Sequence, residues 1–376
     1  MIAVGAAVAV TRGGDADPPV GAVDVAGCRG LLAEAARECQ ERVYLAAVEG
    51  RRDPRPAVAA ITAAARREGG DVLGACHGVM HTVGRTYARE ADVTPARLRE
   101  YLPRSNDPGC SAGFAHGLVT GIVPELDPRR PREAAAACVE GTRYQRYSCV
   151  HGLGHAFMRI AGERLPQALE LCRALGPRAA ADCAPGAYHD HWFAALGADG
   201  TSLPRGAETD PRRLCAAQPA AFVRPCWYRA FVENRPEGLV VDSPEHLDVL
   251  CEELSGLQRE ACITGAAVIG PSDPSLQLAL CARLDVAADA AACVRGTKVQ
   301  NLLGSSTGAF VGLLAGCERF GRAVRAGCYR WLGKTVAVLT DGAFQRDGCR
   351  RLPEPDARAL CRTGARAMEE ALVTFS

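Results

Sequence analysis

Residues 244–269 read PEHLDVLCEELSGLQREACITGAAVI and predict a pair of antiparallel helices. Apolar residues recur at helical spacing on both sides of a Ser-Gly break, and a proline at the start suits a first helical turn. We place Cys251 in the last turn of the first helix and Cys262 in the second turn of the second helix. A short turn between antiparallel helices brings such positions within disulfide reach.

The same cysteine spacing recurs along the whole chain of 376 residues. Of its 18 cysteines, all but two form pairs separated by 11 or 12 residues. The pairs are Cys28–Cys39, Cys138–Cys149, Cys172–Cys183, Cys215–Cys226, Cys251–Cys262, Cys281–Cys293, Cys317–Cys328 and Cys349–Cys361. The second cysteines, together with Cys76 and Cys110, recur at the period of stacked helical hairpins. We predict an all-α fold, an α-solenoid or toroid of about ten disulfide-tied αα-hairpins.

Residues that flank the cysteines also repeat. A leucine often stands three residues after the first cysteine, and a glycine three residues after the second. A glycine on that helix face leaves room for a close neighbouring helix or for a ligand. The pattern C-x-x-L…C-x-x-G resembles the cysteine-rich Sel1-like helical repeat proteins of bacteria, which are exported hairpins tied by a disulfide within each repeat. The resemblance implies a solenoid and carries over no catalytic residue. The glycines in this register are Gly113, Gly152, Gly186, Gly265, Gly296 and Gly364.

The cysteine usage predicts an oxidising compartment. So many cysteines with no C-x-x-C motif indicate disulfides rather than metal thiolates. Two cysteines, Cys76 and Cys110, have no partner at the repeated spacing. We favour a bond between them across neighbouring hairpins; the alternative is that both are thiolate ligands of a metal. The chain is therefore predicted to be secreted, periplasmic or on the cell surface.

The chain divides into three segments by pattern. Residues 1–24 begin with an apolar run, MIAVGAAVAV, which we interpret as the remnant of an export signal or membrane anchor followed by a linker. A disordered tail is the alternative. Residues 25–200 are predicted to be hairpins that carry a histidine cluster, and residues 201–376 hairpins without one. The net charge of +1 gives no indication of a nucleic-acid partner.

Seven of the eight histidines fall between residues 77 and 191, and four of them follow the register of the hairpins. Three of them, His116, His155 and His189, lie six residues after a second cysteine, and His81 lies five after Cys76. Equivalent points of stacked helices should form one wall at a spacing of about 10 Å, with curvature bringing alternate ones inward.

Two hairpins carry a second histidine four residues from the first, namely His77 before His81 and His151 before His155. This i, i+4 spacing allows two imidazoles of one helix to reach one metal ion. Asp190 stands where it could orient a ligand imidazole. Its neighbours His189 and His191 point about 200° apart on a helix, so that both can bind one ion only where the turn is irregular.

Two functions fit these patterns. The first is a metalloprotein, with or without metal-dependent catalysis on a small-molecule or peptide ligand. Copper or zinc would suit the imidazoles best, and iron is compatible with them. The second is a helical scaffold that binds a protein or peptide without catalysis, in which the histidines form a hydrogen-bonded polar stripe. The predicted metal ligands are His77, His81, His116, His151, His155, His189 and His191.

Overall fold

The computed structural model describes residues 17–105, 107, 109–195, 202–233, 241–271, 273–297, 307–339 and 348–366. The apolar run of residues 1–10 lies outside them. The described residues form 18 α-helices and contain no strand. None of these helices is both long enough and apolar enough to span a bilayer. The predicted all-α class is confirmed.

The helices follow one another in short and long pairs. In chain order they are α1 (Ala33–Val48), α2 (Arg55–Glu68), α3 (Gly70–Glu90), α4 (Leu98–Tyr101), α5 (Cys110–Gly121), α6 (Pro131–Ala136), α7 (Arg143–Ile160), α8 (Leu165–Ala174), α9 (Pro177–Ala195), α10 (Pro211–Ala216), α11 (Ala220–Glu233), α12 (Pro244–Cys251), α13 (Gly256–Ala267), α14 (Pro274–Cys281), α15 (Ala287–Gly296), α16 (Thr307–Glu318), α17 (Arg322–Leu339) and α18 (Pro355–Arg366). In the first and last pairs, 3₁₀ helices at Ala26–Cys28 and Gly348–Arg351 stand in place of the first α-helix.

Three of the first helices, α10, α12 and α14, start at a proline with a polar cap before it. Asp210 and Asp273 each accept a backbone hydrogen bond from the residue two places on, and Ser243 accepts one from the residue three places on. Each cap satisfies one N–H of the first turn, and the proline supplies a preset φ where no N–H is needed. These starts fix where those three hairpins begin.

All eight predicted disulfides are present, and Cys76 bonds Cys110 as the ninth. Cys251 is the last residue of α12 and Cys262 lies in the second turn of α13, as predicted. The Cys76–Cys110 bond differs in kind from the others because it joins two neighbouring second helices, α3 and α5.

Each second helix packs against the second helix of the next hairpin, from α1 and α3 through to α17 and α18. The glycines of the repeat allow the close approach that we predicted from their position. A Cβ atom added at Gly113, Gly186, Gly265, Gly296 or Gly364 would lie less than 3.0 Å from a carbonyl oxygen of the preceding second helix. No real Cβ atom tolerates such a distance, so the backbones of these helices touch only because glycine stands there.

Candidate metal centre

Six imidazoles from four consecutive second helices meet in the interior. Helix α3 contributes His77 and His81, α5 contributes His116, and the remaining three come from α7 and α9. Ring centroids are 5.0 Å apart for His81 and His116, and 4.5 Å apart for His116 and His151. His155 lies 5.0 Å from His189. These imidazoles therefore form one compact cluster.

The cluster is tighter than the wall predicted from the repeat. Equivalent rings lie 5.0–5.5 Å apart, not at the expected spacing of about 10 Å, because the glycine contacts bring the helices together. Rings on alternate second helices are also close, since His81 lies 5.0 Å from His155. Even the first and fourth rings, His81 and His189, are only 6.1 Å apart.

Glycines place the imidazoles as well as the helices. In α5, Gly113 and Gly117 lie against the carbonyl oxygens of His77 and His81, and they flank His116 on the same helix. In α9, Gly186 lies against the carbonyl oxygen of His151. The helix pairs α3–α5 and α7–α9 are therefore in backbone contact at the level of the histidines.

The first group of close ring nitrogens belongs to His77, His81 and His116. One nitrogen of each lies within 4.8 Å of the other two. The Nδ1 of His77 lies 3.2 Å from the carbonyl oxygen of Gly109. A carbonyl only accepts, so Nδ1 carries the proton and Nε2 presents a lone pair. The Nε2 of His81 lies 3.1 Å from both His77 Nε2 and His116 Nδ1.

The second group consists of His116, His151 and His155, whose nitrogens also lie within 4.8 Å of one another. All three side chains are buried. The carboxylate of Asp190 accepts a hydrogen bond from His155 Nδ1 at 2.7 Å. That bond fixes the proton on Nδ1 and points the Nε2 lone pair into the cluster, which is the orienting contact that the sequence suggested for Asp190.

Three residues that contact the cluster were not predicted from the sequence. Arg229 donates to Glu233 at 2.7 Å, and its second terminal nitrogen lies 3.4 Å from His151 Nε2. Tyr147 contacts the other nitrogen of that ring at 3.3 Å. Arg229 and Glu233 come from α11, in the segment predicted to carry no histidine cluster. The sequence did contain one sign that Arg229 is unusual. It stands three residues after Cys226, at the position where six other hairpins have glycine.

The side chains of His189 and His191, on either side of Asp190, point in different directions and have different contacts. The Nε2 of His189 lies 3.7 Å from Glu233 Oε1, and its ring packs on His155. His191 instead contacts the carbonyl oxygen of Glu208 through Nε2 at 3.0 Å. Neither His189 nor His191 belongs to one of the two close groups of ring nitrogens. Helix α9 is continuous through both residues, so their directions diverge as helix geometry requires.

The cysteines do not serve the cluster as ligands. Cys76 and Cys110 are bonded to each other, so the alternative of two thiolate ligands is wrong. Their disulfide nevertheless borders the site, because Cys76 precedes His77 and Cys110 opens the helix that carries His116. The donor set of the two close groups is therefore imidazole nitrogen alone.

Burial sets the charge state of the imidazoles. It lowers the pKa of His81, His116 and His189 well below the usual imidazole value, and neighbouring imidazoles lower it further. Burial and the Arg229 guanidinium lower the pKa of His151 in the same direction. These rings are neutral near pH 7, which is the state that donates a lone pair to a metal ion.

The metal-free protein should lose stability steeply as the pH falls below about 6.5. The folded chain keeps four imidazoles neutral, whereas the unfolded chain protonates them near that pH, so their contribution is complete above it and lost below it. Each neutral ring contributes at most about 1.4 kcal/mol per pH unit. Urea denaturation in EDTA, with disulfides intact, should show the decline before carboxylates titrate. Equal stability at pH about 6.5 and about 5.5 would contradict it.

Comparisons with known proteins find no matching family model, no matching curated protein and no matching solved structure. The assignment of function therefore rests on the chemistry of this cluster.

Proposed function

We propose that the chain is an exported protein that binds a transition metal through its histidine cluster. The observation that carries the proposal is the arrangement of His77, His81 and His116. Their facing nitrogens make two contacts of 3.1 Å that share His81 Nε2, and His77 Nε2 has no proton to give. Because one N–H, on either His81 or His116, serves both contacts, at most one of them can be a fully formed hydrogen bond. A metal ion would accept a lone pair from each of the three nitrogens.

The spacing of these nitrogens suits such an ion. A tetrahedral metal with bonds of about 2.0–2.1 Å holds two ligand nitrogens about 3.3 Å apart, close to the 3.1 Å found here. Three neutral imidazoles favour zinc or copper, and iron is compatible, whereas magnesium and calcium prefer oxygen. With three protein ligands, a fourth position is left for water or a ligand, as in catalytic zinc sites.

The compartment fits the same function. Nine disulfides indicate an oxidising environment, which we take to be the cell surface, the periplasm or the medium. There the chain would have no free thiol to compete for the metal, because every cysteine is bonded. The ligand at the fourth position would be a small molecule or a peptide.

Replacing His81 by alanine should weaken Zn(II) binding by more than about a hundredfold. His81 is the nitrogen that both other rings face, so its loss removes the centre of the group. His246→Ala is the matched control, because that side chain is 53% exposed and pairs only with Asp242 among the contacts described. Competition titration against a chromophoric chelator would measure both affinities, and elemental analysis the stoichiometry.

Two results would overturn the proposal. One is a metal-replete preparation, with its disulfides intact, that holds no stoichiometric zinc, copper or iron. The other is the same Zn(II) affinity for the His81→Ala and His246→Ala proteins.

A further inference from the structure

His116 belongs to both close groups of imidazoles. Its ring has two nitrogens on different edges, and the structure gives them different surroundings. Nδ1 lies 3.1 Å from His81 Nε2. Nε2 is buried and has no hydrogen-bond partner among the described residues. Buried nitrogens without a partner are rare enough in proteins to require an explanation.

His155 has a nitrogen of the same kind in the second group. Its Nε2 is buried and without a hydrogen-bond partner in the described part of the chain, while Asp190 holds the proton on Nδ1. The Nε2 of His151 accepts a hydrogen bond from Arg229 and is therefore unprotonated, and an ion bound there would take the lone pair that now faces the guanidinium. An ion bound by His116, His151 and His155 would supply the missing partner of two buried nitrogens at once.

We propose that His116 bridges two transition-metal ions, one bound also by His77 and His81, the other bound also by His151 and His155. The inference rests on the proposed function, since it requires that the cluster binds metal at all. The first ion takes the lone pair of one ring nitrogen of His116. The second ion takes the other nitrogen, whose proton leaves to solvent, so that the bridge is an imidazolate. The two ions would then lie about 6 Å apart, the width of a ring and two metal bonds.

The charges around the second group allow a cation there. Arg229 is the basic side chain in contact with it, but its guanidinium is paired with Glu233 at 2.7 Å and lies 3.4 Å from His151 Nε2. Asp190 adds a second carboxylate on His155. Glu233 thus offsets the charge of the guanidinium, and the Asp190 carboxylate favours a cation at His155.

Copper distinguishes a bridge from two separate sites. Cu(II) is added to EDTA-treated protein with intact disulfides, and bound copper is compared with the electron paramagnetic resonance signal at liquid-helium temperature. Two Cu(II) ions joined by an imidazolate couple antiferromagnetically. We therefore expect two bound copper ions per chain, with an integrated resonance signal that accounts for only a small fraction of them. His77→Ala and His155→Ala each leave one group intact, and each variant should bind one ion with its full signal.

The outcomes separate the two proposals. Two copper ions with full signal, or a single ion in the unmodified chain, would overturn the bridge and leave the proposed function standing. A chain that takes up no stoichiometric metal would overturn both. If either variant fails to fold, as judged by helical circular dichroism, the copper content and spin of the unmodified chain still decide the matter.

Discussion

Gly113→Ala is expected to destabilise the protein by about 3 kcal/mol or more, whereas Gly78→Ala should leave stability unchanged or raise it by up to about 1 kcal/mol. Both glycines lie within α-helices, Gly78 two residues after Cys76 and Gly113 three residues after Cys110. A Cβ atom at Gly113 would lie less than 3.0 Å from the carbonyl oxygen of His77, which is backbone and cannot turn aside. At Gly78 it would meet nothing within 4 Å. The same chemical change therefore has opposite expected effects.

Urea denaturation of both variants, with EDTA present and disulfides intact, would measure the difference in the free energy of unfolding. Gly113→Ala should also weaken Zn(II) binding, because separating α3 from α5 moves His116 away from His77 and His81. Similar stabilities for the two variants would show that these helices do not depend on backbone contact at glycine. Gly327→Ala, in α17, is a second control, since its Cβ would also meet nothing within 4 Å.

The hairpins could be predicted from the sequence because their determinants are local. Cys251 and Cys262 lie within one helix–turn–helix, where helix geometry and a short turn fix their separation. Eight cysteine pairs repeat that geometry, so the structure predicted for one hairpin applied to nearly the whole chain. The ninth bond, between Cys76 and Cys110, followed from the pairing of the two cysteines left over, and not from local geometry.

The register of the histidines predicted which side chains share a face, but not how close their rings lie. Position along a helix determines direction, whereas the distance between helices depends on what packs between them. Here that distance is set by contacts between different hairpins, such as Gly186 against the His151 carbonyl oxygen. The glycines were visible in the sequence, yet their partners were not. The expected spacing of the rings was too wide for this reason.

Arg229 and Glu233 show a second limit. Arg229 reaches a ring 78 residues earlier in the chain, across the one intervening hairpin, α8–α9. Whether such a long side chain points toward the cluster depends on how the hairpins pack against one another. A local sequence pattern does not determine that packing. The sequence offered one sign of the inward position of Arg229, which is an arginine where other hairpins have glycine. That sign can be interpreted only once the other glycines are known to contact the neighbouring helix.

Replacing both Cys76 and Cys110 by alanine should cost about 4 kcal/mol of stability, because the bond closes a loop of 34 residues. The matched control is the double variant Cys251→Ala/Cys262→Ala, whose bond closes 11 residues and should contribute about 3 kcal/mol. Stability alone would barely separate the two variants. Metal binding should separate them clearly, since only the Cys76–Cys110 bond joins the helices that carry His77 and His116.

We expect Zn(II) affinity to fall by at least about tenfold in the Cys76/Cys110 variant and to stay unchanged in the Cys251/Cys262 variant. The ligands of the first group come from α3 and α5, and the disulfide holds both helices together before an ion binds. Without the bond, the ion must pay the entropy of aligning them. Linkage then requires Zn(II) to raise the stability of the unmodified chain by more than that of the Cys76/Cys110 variant at equal zinc concentration. Equal affinities in the two double variants would mean that glycine packing alone aligns the imidazoles and that the ninth disulfide serves stability only.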